Sequence, residues 1–283
     1  LIVKSLPQLT SSLVPTVCSG TLFSYMGRSS DTSTTMSWSR AVVPGISNAS
    51  ATSISGNISE TLVNTTDSPI DVYYDYSLSL NSCTNTQSVK VTVNPKAQLT
   101  SSLTPASICS GSTFSYTPLS NITGSTFSWS RSAQAGISEL SSSGTGSISE
   151  VLTNTTNASI GVVYNYTITT LSGCISTASV TVNVNPVPLA ASSISGSTTV
   201  CSASQVTYTT TAITNATGYR WTLPDNSTTD TNSTTLTIDY AIMTSSGNLS
   251  VAGLNICGVG VSSPSLAITI LSPPVLSSAL TTT

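Results

Sequence analysis

Residues 72–80, VYYDYSLSL, and 162–170, VVYNYTITT, alternate apolar and polar side chains one by one. That is the period of a strand with one buried and one wet face. SVKVTVN at 88–94 and SVTVNVN at 179–185 repeat the pattern. β-Branched and aromatic residues fill these runs, and clusters of Gly, Asn and Ser separate them. Helical periodicity is nearly absent; only DYAIMTSSG at 239–247 admits a helical turn. About six or seven short strands in each stretch of about 90 residues predict an all-β fold of antiparallel β-sandwiches. The Ser- and Thr-rich faces stay wet.

The pattern recurs. Cys18 and Cys109, Trp38 and Trp129, and Cys83 and Cys174 are each separated by 91 positions. SWSR begins at 37 and 128, GIS at 45 and 136, and NTT at 64 and 154, while NISE ends at Glu60 and SISE at Glu150. A more divergent copy follows, with Cys201 and Trp221 each 92 positions after Cys109 and Trp129, and its second cysteine at Cys257. Prolines after Asn94 and Asn185 mark the boundaries. The predicted organisation is three repeats at 8–96, 97–187 and 188–275. LIVKSLPQLTSS at 1–12 matches VTVNPKAQLTSS at 91–102, so 1–7 reads as the end of a preceding repeat. Residues 276–283 read as the start of a following segment, which makes the 283-residue chain a slice of a longer protein.

Charge narrows the function. Only 6% of residues are charged, against about 25% in an ordinary soluble domain. The cations, Lys4, Arg28, Arg40, Lys90, Lys96, Arg131 and Arg220, are scattered. They cannot form the cluster that nucleic acid or an anionic membrane face requires. No apolar run is long enough to span a bilayer, so no direct membrane insertion is expected. Histidine is missing, and with it the commonest general base and zinc ligand. The chain is therefore expected to be non-catalytic, with no cofactor.

The cysteines number six: Cys18, Cys83, Cys109, Cys174, Cys201 and Cys257. Even number and wide spacing favour disulfides over a metal site, and hence an exported protein. The expected pairs lie within units: Cys18 with Cys83, Cys109 with Cys174, and Cys201 with Cys257. Each would close a loop of about 65 residues or fewer, worth about 4 kcal/mol. Free buried thiols are the alternative. The second cysteine follows NS or SG, a turn, which leaves open whether the bridge crosses the sandwich or staples its rim.

Trp38, Trp129 and Trp221 are read as core residues of the third strand, in preference to sugar-stacking surface aromatics. Arg40 and Arg131 are read as exposed partners of Glu60 and Glu150, contributing less than about 1 kcal/mol. Asp67, Asp71 and Asp75 lie close enough in sequence to suggest calcium, but Gly161 and Asn165 replace the last two in the second repeat. Glycosylation sequons are frequent, at Asn48, Asn57, Asn64, Asn121, Asn154, Asn157, Asn165, Asn215, Asn226, Asn232 and Asn248, as a chain so rich in Ser and Thr yields by chance.

The run ICSGSTFSYTP, TFSWSR, GIS, GTGSISEVLTNTT, YNYTIT and GCISTASVTVNVNP resembles the PKD-like β-sandwich repeats of giant secreted surface proteins of Bacteroidota. The third unit, with TTVCSASQVTYT, GYRWTLP and NICG, resembles a second variety of them. The resemblance implies an extracellular, cell-surface stalk or adhesin segment of the gliding-motility, type IX-secreted kind. Its partners would be neighbouring repeats of the same chain, surface polysaccharide or the secretion and motility machinery. A carbohydrate-binding module array of a secreted enzyme is the alternative. The W-D-F-G-D-G run of polycystic-kidney-disease domains is absent, which removes the basis for a ligand role tied to it.

Overall fold

The computed structural model describes residues 5–242 and 245–272, so the readings made for Leu1–Val3 and for 276–283 lie outside the described residues. No helix occurs among the described residues; within 239–247 those residues show a turn at Tyr240 and Ala241.

Three hydrophobic cores line up along the chain. The first unit contains β1 (Thr16–Cys18), β2 (Leu22–Met26), β3 (Thr35–Arg40), β4 (Ala51–Ser53), β5 (Asn57–Thr61), β6 (Ile70–Leu80) and β7 (Cys83–Asn94). The second repeats it with β8 (Ile108–Cys109), β9 (Ser112–Tyr116), β10 (Thr126–Arg131), β11 (Ser142–Thr145), β12 (Ile148–Leu152), β13 (Ile160–Thr169) and β14 (Ile175–Asn185). The third has β15 (Thr199–Cys201), β16 (Gln205–Thr209), β17 (Gly218–Thr222), β18 (Thr228–Thr231), β19 (Thr235–Asp239), β20 (Gly247–Asn255), β21 (Gly258–Val259) and β22 (Leu266–Leu271).

In the first unit one sheet runs β1-β7-β6-β3-β4, and β2 with β5 forms the other. The second unit has the same order, β8-β14-β13-β10-β11 with β9-β12, and the third has β15-β22-β20-β17-β18 with β16-β19. These are tandem immunoglobulin-like sandwiches. Along β6, Val72, Tyr74, Tyr76 and Leu78 are buried while Tyr73, Asp75 and Ser77 face water. Each buried large side chain stabilises its unit by about 1.5–3 kcal/mol. Trp38 and Trp129 are buried edge-on against Tyr74 and Tyr164, and Trp221 is fully buried. Met36 and Phe127 pack beside them. The glycine of each GIS motif has a local reason: Gly45 and Gly136 sit at φ 84°, where a Cβ would lie 2.5 and 2.6 Å from Ile70 and Ile160.

One pairing departs from the antiparallel pattern. The first strand of each unit lies parallel to the end of the last, with Cys18 opposite Asn94, Cys109 opposite Asn185 and Cys201 opposite Leu271. The first cysteine therefore stands at the trailing end of its unit, where the chain leaves. The second stands at the leading end: Cys83 opens β7, Cys174 precedes β14 and Cys257 sits in the β20–β21 turn.

This polarity overturns the pairing expected within units. Cys83 is eleven residues along β7 from Asn94, and hence about 36 Å from Cys18. A disulfide spans about 4.4–6.8 Å between Cα atoms. The second unit opposes Cys109 and Cys174 in the same way, and the third opposes Cys201 and Cys257.

Candidate functional site: the inter-repeat junctions

Two bridges cross the junctions. Cys18 of the first unit bonds Cys174 of the second, with Cα atoms 5.5 Å apart, and Cys109 of the second bonds Cys257 of the third, at 5.6 Å. Cys83 and Cys201 are free and exposed, which corrects the reading that all six cysteines are bridged. In each bridge a first cysteine at a trailing end meets a second cysteine at the next leading end.

Hydrogen bonds fasten the linkers to the unit they lead into. At the first junction Ser176 donates to the Ala97 carbonyl, and both Ala97 and Cys174 are fully buried. Asn121 of the second unit donates from Nδ2 to the Asp67 carboxylate of the first. At the second junction Asn255 Nδ2 donates to the carbonyls of Pro186 (3.0 Å) and Asn215 (2.8 Å), while its Oδ1 accepts from the Cys257 N–H (2.7 Å). Asn215 Nδ2 donates to the Val187 carbonyl at 3.0 Å. Asn255 thus holds the hairpin carrying Cys257 and the incoming chain together.

Beside the two bridged trailing-end cysteines, Cys18 and Cys109, lies a buried asparagine. Asn64 donates from Nδ2 to the carbonyls of Ser68 (2.7 Å) and Val93 (2.9 Å). Its Oδ1 accepts from the N–H and hydroxyl of Thr66, both at 2.8 Å. Asn154 makes the same four bonds with Ala158, Val184 and Thr156. Such an amide has no further capacity. Both residues belong to sequons, but their burial closes them to a glycan in the folded chain. The neighbouring Ser19 Oγ accepts from the Asn64 N–H at 3.0 Å, and Ser110 does so for Asn154 at 2.9 Å. Each NTT motif therefore ties the β5–β6 or β12–β13 loop to the strand opposite the bridge.

Arg40 and Arg131 are 2% and 3% exposed, so the expectation of surface arginines is corrected. Both follow the core tryptophan by two positions and share its inward face, which the alternation in SWSR already implied. Arg40 bonds Glu60 through Nε (3.0 Å) and Nη2 (3.1 Å), and Nη2 also donates to the Ala49 carbonyl (2.6 Å). Tyr74 donates its hydroxyl to the same carboxylate. In the second unit Arg131 reaches Glu150 through Nε alone (3.0 Å), its Nη2 donates to the Leu140 carbonyl (2.7 Å), and Tyr164 donates its hydroxyl to Glu150 (2.6 Å). Burial alone would raise the Glu60 and Glu150 pKa values. Hydrogen bonds from the arginine and tyrosine, with the arginine charge, more than reverse this and hold both carboxyls below their ordinary value. The third unit lacks the network: Leu223 stands at the arginine position, and Tyr208 and Tyr240 share a hydroxyl bond of 2.8 Å instead.

The aspartates considered for calcium do not converge. Asp67 is engaged by Asn121, Asp71 by Lys90 and Thr92, and Asp75 by Ser88. Arg220 forks onto Asp230 at 2.8 Å through both nitrogens. No group of three or more possible metal ligands occurs among the described residues. A shallow surface hollow on the outer face of the first unit is lined by the hydroxyl residues Ser37, Ser39, Thr52, Ser53 and Ser77, by Asp75, and by Trp38 and the exposed Ile54.

Parallel first strand, core tryptophan and repeated order define tandem immunoglobulin-like repeat domains. Family models described as PKD-like domain match residues 106–188 and 186–268. Together they cover more than half of the sequence, and the chain belongs to the PKD-like family. Such repeats are typical of extracellular and adhesion proteins and are generally non-catalytic. Among solved structures, an I-band fragment of titin is 11% identical, with a TM-score of 0.41, covering 96% of this chain and 100% of its own. Sidekick-1 immunoglobulin domains 1–5 are 10% identical, with a TM-score of 0.30, covering 95% of this chain and 60% of that one. No curated protein sequence matches the chain.

Proposed function

We propose that the chain is a non-catalytic spacer of a long secreted cell-surface adhesin or filament of the gliding-motility, type IX-secreted kind, with its repeats at 8–96, 97–187 and 188–275. The bridges from Cys18 to Cys174 and from Cys109 to Cys257 carry this reading. A bridge inside a unit would stabilise that unit alone. A bridge between units restrains the angle and twist at the junction, as reach under load requires. The disulfides and the scarcity of charge also suit an exposed, oxidising surface.

Small-angle scattering of the oxidised chain tests it. Three units of about 40 Å laid end to end give a radius of gyration near 35 Å, against about 19 Å for one compact body of this length. The compact value would refute the spacer reading.

The alternative, a carbohydrate-binding array, draws on Tyr73. It is 49% exposed and shares the outer face of β6 with Asp75 and Ser77 of the hydroxyl-lined hollow. Glycan-array binding lost in Tyr73→Ala would favour it; no binding by the intact chain would dismiss it.

A further inference from the structure

We propose that Cys83 and Cys201 are the two open halves of the inter-repeat bridge. Each is placed for the complementary cysteine of whichever PKD-like unit abuts it end to end, and a second copy of this chain supplies such a unit. The inference rests on the register of the two formed bridges and not on what the array adheres to.

Cys201 stands where Cys18 and Cys109 stand. It ends a short strand parallel to the last strand of its unit. The residue after each cysteine donates its N–H to the carbonyl opposite: Ser19 to Asn94 (2.8 Å), Ser110 to Asn185 (2.8 Å) and Ser202 to Leu271 (3.0 Å). The carbonyls of Cys18 and Cys201 each accept a hydroxyl three residues on, from Thr21 and Ser204, both at 2.6 Å.

Cys83 stands where Cys174 and Cys257 stand. All three occupy the turn at the leading end, and a side chain two residues away grips the incoming chain. Asn85 donates to the Pro7 carbonyl at 2.8 Å, as Ser176 does to Ala97 and Asn255 to Pro186. Both formed bridges join a trailing-end cysteine to a leading-end cysteine. The remaining trailing-end thiol, Cys201, and leading-end thiol, Cys83, are complementary by the same rule, and both are exposed. A second copy whose leading end meets this trailing end would bring its Cys83 to Cys201.

Closing the bridge requires oxidation. A Cys201 thiolate attacks a small-molecule disulfide such as oxidised glutathione, forming a mixed disulfide and releasing one reduced thiol. The Cys83 thiolate of the second copy then attacks the protein sulfur and displaces the other. Two protein thiols are oxidised, one disulfide is reduced to two thiols, and the two protein protons end on them.

The test is to equilibrate the concentrated chain in a glutathione redox buffer, quench it and map disulfides by non-reducing peptide mass spectrometry. Cys83–Cys201 links between copies are expected to exceed the like pairs by about tenfold, because docking raises the effective concentration of one combination only. Cys83→Ser and Cys201→Ser variants should each stay monomeric alone and form a defined heterodimer when mixed. Intact Cys18–Cys174 and Cys109–Cys257 peptides in the same map establish that the variants are folded. A statistical mixture of like and unlike pairs, or glutathionylated monomers alone, would overturn the proposal.

Discussion

Cys18 and Cys174 are 156 residues apart in sequence, yet their Cα atoms lie 5.5 Å apart because a trailing end and a leading end meet. Closing so long a loop removes about 5 kcal/mol of freedom from the unfolded chain by the chain-entropy relation. It also changes what pulling can do. The shortest covalent route from residue 7 to residue 271 runs to Cys18, across to Cys174, back to Cys109, across to Cys257 and on. That is about 90 residue steps, or about 310 Å, where the reduced chain offers about 264 steps and about 900 Å. Single-molecule pulling in oxidising buffer is expected to stop near the shorter length, and a reductant should release the remainder. Equal lengths in both buffers would disprove the bridged connectivity.

Replacing Arg40 by Ala leaves Glu60 and the Tyr74 hydroxyl buried without their cation. A loss of about 3–5 kcal/mol is expected in the first unit. Hydrogen exchange resolved by peptide should show faster exchange in β3, β5 and β6 and unchanged protection in β10, β12 and β13. Arg40→Met with Glu60→Gln should cost less than Arg40→Ala, since no unpaired charge remains.

Asn64→Ala strands the Val93 carbonyl and frees the Thr66 N–H next to Cys18. About 2–4 kcal/mol should be lost from the first unit, and the same from the second for Asn154→Ala. Thermal unfolding of each variant measures this; a change below about 0.5 kcal/mol would make the asparagines dispensable.

Glu60 and Glu150 have folded-state pKa values below their ordinary 4.5. Their contribution is complete above that value and is lost as pH falls through the lower, folded value. Burial raises the pKa of Tyr25, Tyr74, Tyr76, Tyr164, Tyr166, Tyr208 and Tyr240 above the ordinary 10.0. The stability tied to their protonated form is complete below 10 and is lost as pH rises toward the folded values. The melting temperature should therefore hold steady from about pH 5 to 9 and fall on either side. Tyrosinate absorbance from these seven should appear only together with unfolding. Smooth titration of all tyrosines in a folded chain would contradict the burial.

The sandwich, the three units and the tryptophans were legible because alternation and an internal repeat are local or self-comparing signals. Cysteine pairing was not, because it depends on whether the first strand runs parallel or antiparallel to the last, and three-residue strands such as TVC carry no record of partner direction. One clue existed: NSC and SGC are turns, and turns sit at ends. The burial of Arg40 and Arg131 is written in the alternation that aims them inward beside Tyr74 and Tyr164, against the surface preference that their charge alone implies. Asn64 and Asn154 look like any other sequon asparagine in the sequence, because a buried amide leaves no periodic trace.

The two bridges also interlace: Cys109 lies inside the loop closed by Cys18 and Cys174, and Cys174 lies inside the loop closed by Cys109 and Cys257. A single cut anywhere from Cys18 to Cys257 consequently leaves both fragments tied by at least one sulfur link. Arg28, Arg40, Lys90, Lys96, Arg131 and Arg220 all fall inside that span. A protease that nicks one of these sites wounds the strand without severing the tether, so the array tolerates damage that would part an unbridged string of domains.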